Sequence, residues 1–110
     1  MTNNVPDMVA KKYAELLHSA LVNKLREVWL FGSRARGDFH TNSDYDILVV
    51  SEGDRHELSD IAVDHSYSIL CEFSELIGPL TYSPAEWEKE KHTSLGRNVL
   101  REGVLLYESQ

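Results

Sequence analysis

The sequence is poor in the features that define several special classes of protein. Its single cysteine, Cys71, permits no internal disulfide. No apolar run approaches the ~18 residues that a membrane-spanning helix needs, and no signal peptide is visible. These shortages disfavour a disulfide-stabilised secreted protein and a membrane protein. We therefore expect a cytoplasmic location and no association with a membrane.

Basic residues are also scarce, with 11 lysines and arginines against 18 acidic residues and a formal net charge of −7. A general nucleic-acid binder needs a basic face, because neutralising phosphates supplies most of its affinity. The charge balance therefore argues against general nucleic-acid binding and indicates either a role in solubility or a basic partner. The length of 110 residues predicts one domain over 1–110 with a modest core.

The spacing of apolar residues predicts alternating helices and strands. We expect helices over residues 6–23, 55–70 and 84–101, a helical turn over 33–37, and strands over 28–31, 44–50, 75–82 and 104–107. Asn4 is expected to cap the first helix, with Pro6 in its first turn. Pro79 places the third strand at a sheet edge or a bulge. The pattern predicts a single α/β domain.

The most informative stretch is WLFGSRARGDFHTNSDYDILVV, residues 29–50. One apolar run ends in Gly32-Ser33, and ten residues later Asp44 opens a second. Side chains alternate along a strand, so Asp44 and Asp46 share one face, with Cα atoms roughly 6.6 Å apart. Burying two acids beside an apolar run is costly in free energy unless they are paired, bind metal or lie at a solvent-exposed end of the strand.

This arrangement is suited to a nucleotide phosphate and its metal ions. Carboxylate oxygens are good Mg²⁺ ligands, and Asp44 and Asp46 can converge on shared ions. Gly32 permits close backbone approach, and Ser33 offers donors to phosphate. Of Arg34 and Arg36, helical geometry lets only one face a triphosphate and leaves the other solvated. Ion pairing of either acid to these arginines is the alternative explanation.

Together these residues resemble the minimal nucleotidyltransferase (MNT) branch of the polymerase-β-type nucleotidyltransferase superfamily. The resemblance rests on Gly32-Ser33, Ala35-Arg36-Gly37, Ser43-Asp44 and Asp46, with the spacing of Gly-Ser, ten residues and Asp-x-Asp. It extends over nearly the whole chain, because these domains are of about this size. It implies an α/β (α+β) fold with a small mixed sheet and helices packed on it.

The resemblance also implies a chemistry. Asp44 and Asp46 would be the catalytic residues and would hold Mg²⁺, with two ions expected. Gly32, Ser33 and Arg36 would bind the phosphates of ATP, and AMP would pass to a hydroxyl acceptor with release of pyrophosphate. Stand-alone MNT proteins commonly accompany a HEPN-domain toxin, so the chain resembles an antitoxin that adenylylates a tyrosine of that partner.

The sequence departs from the superfamily pattern at one point. The third carboxylate that the next strand usually supplies has no evident counterpart in SELIGPLTYS, residues 74–83. Glu75 is the nearest candidate and Glu72 the next, although either could be a solvated glutamate. Two alternatives to the protein adenylyltransferase stay open, the first suggested by this departure and the second by an acidic charge that suits a cationic acceptor. One is a weak or inactive antitoxin that acts by direct binding, and the other is a small-molecule transferase of the aminoglycoside-modifying type.

Overall fold

The computed structural model describes residues 7–38, 40 and 43–109. Asn4 and Pro6, which were predicted to begin the first helix, lie outside the described residues. The elements follow in the order α1 (Met8–Ala20), β1 (Leu25–Phe31), α2 (Ser33–Arg36), β2 (Tyr45–Ser51), α3 (Arg55–Phe73), β3 (Ile77–Tyr82), α4 (Pro84–Glu90), α5 (Ser94–Glu102) and β4 (Val104–Glu108).

The strands form one mixed sheet in the order β3-β2-β1-β4. β1 is antiparallel to both β2 and β4, whereas β2 and β3 are parallel. The predicted α/β fold with a small mixed sheet is therefore confirmed. The edge position predicted from Pro79 is also confirmed, because β3 is an outer strand, where a residue without an N–H can be accommodated.

The helices cover both faces of the sheet. On one face, α1 and α3 pack against a large apolar cluster that includes Tyr13, Leu17 and Ile69. On the other face, Trp87 of α4 and Val99 of α5 pack in a smaller cluster. Among the described residues, no helix combines the length and the apolar character needed to cross a bilayer.

Strand β2 contributes alternately to the two clusters, as its sequence pattern predicted. Tyr45, Ile47 and Val49 belong to the cluster under α1 and α3. Leu48 and Val50 belong to the cluster under α4 and α5. By the same alternation, Asp46 lies on the face of α4 and α5, at the end of β2 where the strand begins.

The first helix differs from the prediction at both ends. Asp7 is the cap of α1, because its Oδ1 accepts hydrogen bonds from the N–H groups of Val9 and Ala10. The helix ends at Ala20 and not near Asn23, because Leu21 leaves helical geometry with φ −115° and ψ 49°. Asn23 then adopts a positive φ of 66° in the turn toward β1.

The predicted helix over 84–101 is wrong in one respect, since it is two helices. The predicted start is confirmed: the Ser83 hydroxyl accepts from the Glu86 N–H, and the Glu86 carboxylate accepts from the Ser83 N–H. α4 ends at Glu90, and Thr93 caps α5 by accepting from the Gly96 N–H. A Cβ at position 96 would overlap the Glu90 carbonyl oxygen, so glycine allows this close approach of the two helices.

Candidate active site

The end of β1 brings the glycine turn directly against the second aspartate. Phe31, the last residue of β1, pairs with Asp46 in the sheet register. Gly32 follows with φ 77° and ψ −158°, a conformation that essentially only glycine adopts. A Cβ at Gly32 would lie 3.2 Å from Asp46 Cγ and would overlap Oδ2. Glycine is therefore required here for both its backbone geometry and its lack of a side chain.

The same turn begins the short helix α2. The Gly32 carbonyl accepts from the N–H groups of Ala35 and Arg36, both at 3.1 Å, and the Ser33 carbonyl accepts from the Gly37 N–H at 2.8 Å. Ser33 is half-buried as the first residue of α2, beside Gly32. The predicted helical turn is confirmed, and it places Gly32 next to Asp46 and Ser33 at the start of α2.

Asp44 and Asp46 form a concentrated negative site. Burial raises the pKa of Asp46, and the charge of Asp44 raises it further, while Arg36 acts in the opposite direction. Asp44 is exposed and Asp46 is half-buried. Within the part of the chain that the structure describes, neither acid takes part in an ion pair. A cation at this position would lower the free energy of the charged pair.

Arg36 lies on the solvent side of this site. Its Nε contacts Asp38 Oδ2 at 3.2 Å and its Nη1 contacts Glu102 Oε1 at 3.5 Å. The hydrogen bond and the charge of Asp38 raise the pKa of Arg36. Because its side chain remains 43% exposed, Arg36 can exchange these carboxylates for phosphate oxygens without disturbing the core.

Arg34 has a different environment that the sequence analysis missed. It was predicted that one of the two arginines would be solvated, but the Arg34 side chain is only 6% exposed. It donates to the Ser43 carbonyl and to Glu75, and its guanidinium lies over the Tyr45 ring. A sequence signal for this environment was strand alternation, because it put Tyr45, the ring that Arg34 contacts, on the face of the sheet opposite Asp46.

The two candidates for a third carboxylate lie elsewhere. Glu75 Oε1 pairs with Arg34 Nη2 at 3.3 Å, and Glu72 is exposed on α3, beside a shallow cavity lined also by Lys11 and Lys12. Among the described residues, no three His, Cys, Asp or Glu side chains form a group that could hold a metal ion. On β3, the residue paired with Asp46 is Gly78.

A glycine turn held against two neighbouring acids, on a mixed sheet covered by helices, is the arrangement that the sequence resemblance implied for the nucleotidyltransferase class. Comparisons with known proteins place the chain in that class. The sequence profile of the family described as Polymerase beta, Nucleotidyltransferase matches residues 11–110. The chain belongs to this family.

Individual relatives agree with this assignment. A protein of Methanocaldococcus jannaschii, provisionally named a protein adenylyltransferase, is 34% identical over 97 residues, which cover 88% of this chain and 93% of the relative. The crystal structure of a toxin–antitoxin with AMP-PNP superposes with a TM-score of 0.62 at 21% identity, over 91% of this chain and 74% of that one. A structure of a tri-AMPylated Shewanella oneidensis HEPN toxin in complex with an MNT antitoxin gives a TM-score of 0.57 at 19% identity, over 94% and 72% of the two chains. The two structural similarities establish the shared fold.

Proposed function

We propose that this protein is an adenylyltransferase that transfers AMP from ATP to a tyrosine hydroxyl of a HEPN-type toxin in the cytoplasm, and so acts as its antitoxin. The observation that carries the proposal is the contact of Gly32 with Asp46, which joins a phosphate-binding turn to a pair of acids. The name of the M. jannaschii relative supports a protein acceptor. The AMP-PNP and tri-AMPylated toxin in the two similar structures support the nucleotide and the partner.

The donor set at the site suits divalent ions. Asp44 and Asp46 provide oxygen ligands, and burial together with the charge of Asp44 raises the pKa of Asp46 despite the opposite effect of Arg36, so a bound cation would favour the ionised form of both acids. In this proposal the two residues hold Mg²⁺, with two ions expected. When bound, Mg²⁺ would neutralise phosphate charge and favour ionisation of the attacking hydroxyl.

The remaining residues bind and orient the nucleotide. The Gly32 backbone can approach the phosphates closely because it carries no side chain, and Ser33 supplies donors beside it. Arg36 turns from Asp38 and Glu102 toward the phosphates. The tyrosine oxygen forms a bond to the α-phosphorus, the bond to the bridging oxygen breaks, pyrophosphate leaves, and the phenolic proton passes to solvent.

The direct test uses a HEPN-domain toxin as the AMP acceptor. The two proteins are incubated with ATP and Mg²⁺, and intact-mass spectrometry measures whether the toxin gains AMP. We expect one or more AMP units on tyrosine, and a loss of at least ~100-fold in rate for Asp44→Asn and Asp46→Asn. Asp60→Asn, an exposed acid on α3, is the matched control and should retain the wild-type rate. No mass gain with the wild-type protein would refute the proposed transfer.

One observation favours a second function, an antitoxin that acts by contact alone. Glu75, the nearest candidate for a third carboxylate, is paired with Arg34 and does not join Asp44 and Asp46. If contact suffices, the Asp44→Asn, Asp46→Asn double variant will neutralise the toxin as well as the wild-type protein does. If transfer is required, the double variant will bind the toxin but leave its toxicity intact.

A further inference from the structure

The buried guanidinium of Arg34 is the least expected feature near the proposed site. A charged side chain that is only 6% exposed is costly unless its charge and its donors are satisfied. Arg34 Nε and Nη2 donate to the Ser43 carbonyl at 3.2 and 3.0 Å, and Nη2 also donates to Glu75 Oε1 at 3.3 Å. These contacts explain how the charge is tolerated.

The position of these contacts along the chain matters more than their number. The Ser43 carbonyl belongs to the planar peptide group that joins Ser43 to Asp44. By binding this carbonyl, Arg34 holds the orientation of the peptide plane that precedes Asp44. On the other side of Asp44, the Tyr45 ring lies 4.3 Å beneath the guanidinium carbon. Arg34 therefore contacts both neighbours of Asp44.

The Tyr45 ring is itself held in place. Its hydroxyl donates to Asp7 Oδ2 at 3.0 Å, while the other oxygen of Asp7 caps α1. Tyr45 is only 2% exposed. Arg34 therefore stacks on a ring that is itself buried and hydrogen-bonded, while Glu75 contacts the same guanidinium.

We propose that Arg34 is a positioning residue that holds Asp44 in register with the Gly32 turn, and that Glu75 serves as its counterion and not as a third carboxylate of the metal site. Arg34 lies two residues after Gly32, so one side chain connects the phosphate-binding turn to the first acid. This inference rests on the role proposed for Asp44 above.

The chemistry of the contacts requires arginine. A planar guanidinium can stack on Tyr45 and direct two N–H groups to one carbonyl oxygen at the same time. A lysine ammonium keeps the charge but cannot reproduce this geometry. Arg34→Lys therefore separates the loss of positioning from the loss of charge. Arg55→Lys is the matched control, because Arg55 also pairs with a glutamate, Glu86, but on the exposed surface at the other end of β2.

The test compares wild type, Arg34→Lys, Glu75→Gln, Asp44→Asn and Arg55→Lys. Amide ¹H–¹⁵N spectra of the metal-free proteins report positioning directly, and electron paramagnetic resonance of added Mn²⁺ reports metal affinity. We expect Arg34→Lys to stay folded, to shift the amides of Asp44 and Gly32, and to weaken Mn²⁺ binding by about 10–100-fold. In the AMP transfer assay its kcat should fall by about 100-fold, with a smaller change in KM for ATP.

The outcomes distinguish this inference from the proposed function. Unchanged Asp44 and Gly32 amides in Arg34→Lys would overturn the positioning role, whether or not the wild-type protein transfers AMP. If Glu75→Gln loses Mn²⁺ binding as fully as Asp44→Asn does, Glu75 is a metal ligand and its role as a counterion is wrong. Shifted amides without any AMP transfer by the wild-type protein would uphold the role of Arg34 and refute the proposed transfer.

Discussion

The contact between Gly32 and Asp46 makes a quantitative prediction for Gly32→Ala. The backbone at position 32, with φ 77° and ψ −158°, lies in a region where a side chain costs roughly 1–3 kcal/mol. The added methyl would also overlap Asp46 Oδ2. The carboxylate must then rotate away from the turn. We expect a total loss of about 2–4 kcal/mol in the free energy of unfolding, or roughly 10–20 °C in melting temperature.

Gly37→Ala is a close control for the backbone term. Gly37 also has a positive φ, 91° with ψ 1°, and no heavy atom of the described residues lies within 4 Å of the Cβ that alanine would add. Its substitution should therefore cost only the left-handed strain of roughly 1–2 kcal/mol. The excess cost at Gly32 measures the contact with Asp46.

A double-mutant cycle isolates that contact. Asp46→Ala removes the carboxylate that the new methyl would overlap but leaves the backbone strain in place. Gly32→Ala should therefore cost at least ~1 kcal/mol less in the Asp46→Ala background than in the wild type. The measurement is urea unfolding followed by circular dichroism in EDTA at 25 °C. Activity should fall at least ~100-fold in Gly32→Ala, because a displacement of about 1 Å in a catalytic group has that effect.

Two results would contradict this reasoning. Equal destabilisation by Gly32→Ala and Gly37→Ala would mean that the methyl group at position 32 meets nothing. A coupling energy near zero between Gly32→Ala and Asp46→Ala would mean that the two positions do not touch. Either result would mean that the Gly32 turn does not contact the acids, and it would remove the main support for the proposed site.

Three further predictions concern stability. Burial and the charge of Asp44 raise the pKa of Asp46, so the metal-free folded protein binds this proton more tightly than the unfolded chain does. The folded protein therefore loses stability as the pH rises through the raised pKa. Asp46→Asn should raise the melting temperature in EDTA at pH 7 by roughly 2–4 °C, measured by calorimetry. The Ser83 N–H, with Arg55, lowers the pKa of Glu86, so the stabilisation that ionised Glu86 gives the fold is present above its ordinary pKa and is lost as the pH falls through the lowered pKa. In Glu86→Gln, the free energy of unfolding from urea titrations should therefore fall less between pH 5 and pH 3 than it does in the wild type. Trp87 Nε1 is buried without a hydrogen-bond partner among the described residues. Trp87→Phe therefore removes an unsatisfied donor together with some ring volume, and it should cost only about 1–2 kcal/mol in urea unfolding. A loss as large as the ~3–5 kcal/mol of a full Trp→Ala truncation would contradict this prediction.

The parts of the fold that sequence alone could predict depend on local patterns. Strand alternation assigned Tyr45 and Asp46 to opposite faces of the sheet, and the structure confirms the two faces of β2. The capping pattern at Ser83 and Glu86 predicted the start of α4 because both hydrogen bonds form within four residues. In each case the determining interactions lie within one element.

The errors in the sequence prediction occur where contacts between different helices and strands determine the structure. The apolar spacing over residues 84–101 continues through Lys91, but the second cap at Thr93 and the close approach at Gly96 divide the helix. Arg34 and Glu75 are 41 residues apart in sequence, and only the parallel pairing of β2 with β3 brings them together. No pattern within either segment indicates that one neutralises the other.

The same pairing explains why the site has two acids at the start of β2, Asp44 just before the strand and Asp46 within it, and none on β3. Asp46 lies between two glycines: Gly32 touches its carboxylate, and Gly78 is its partner across the parallel β2–β3 pair. A Cβ at Gly78 would meet no heavy atom within 4 Å among the described residues, so the side of Asp46 toward the sheet edge is open. Paired residues in a parallel sheet project to the same face, so this is the position from which a β3 side chain would reach the acids. The glycine that leaves the site without a third carboxylate also leaves room beside Asp46, and in the proposed function the nucleotide, its ions and the hydroxyl of the acceptor protein would approach through this room from the edge of the sheet.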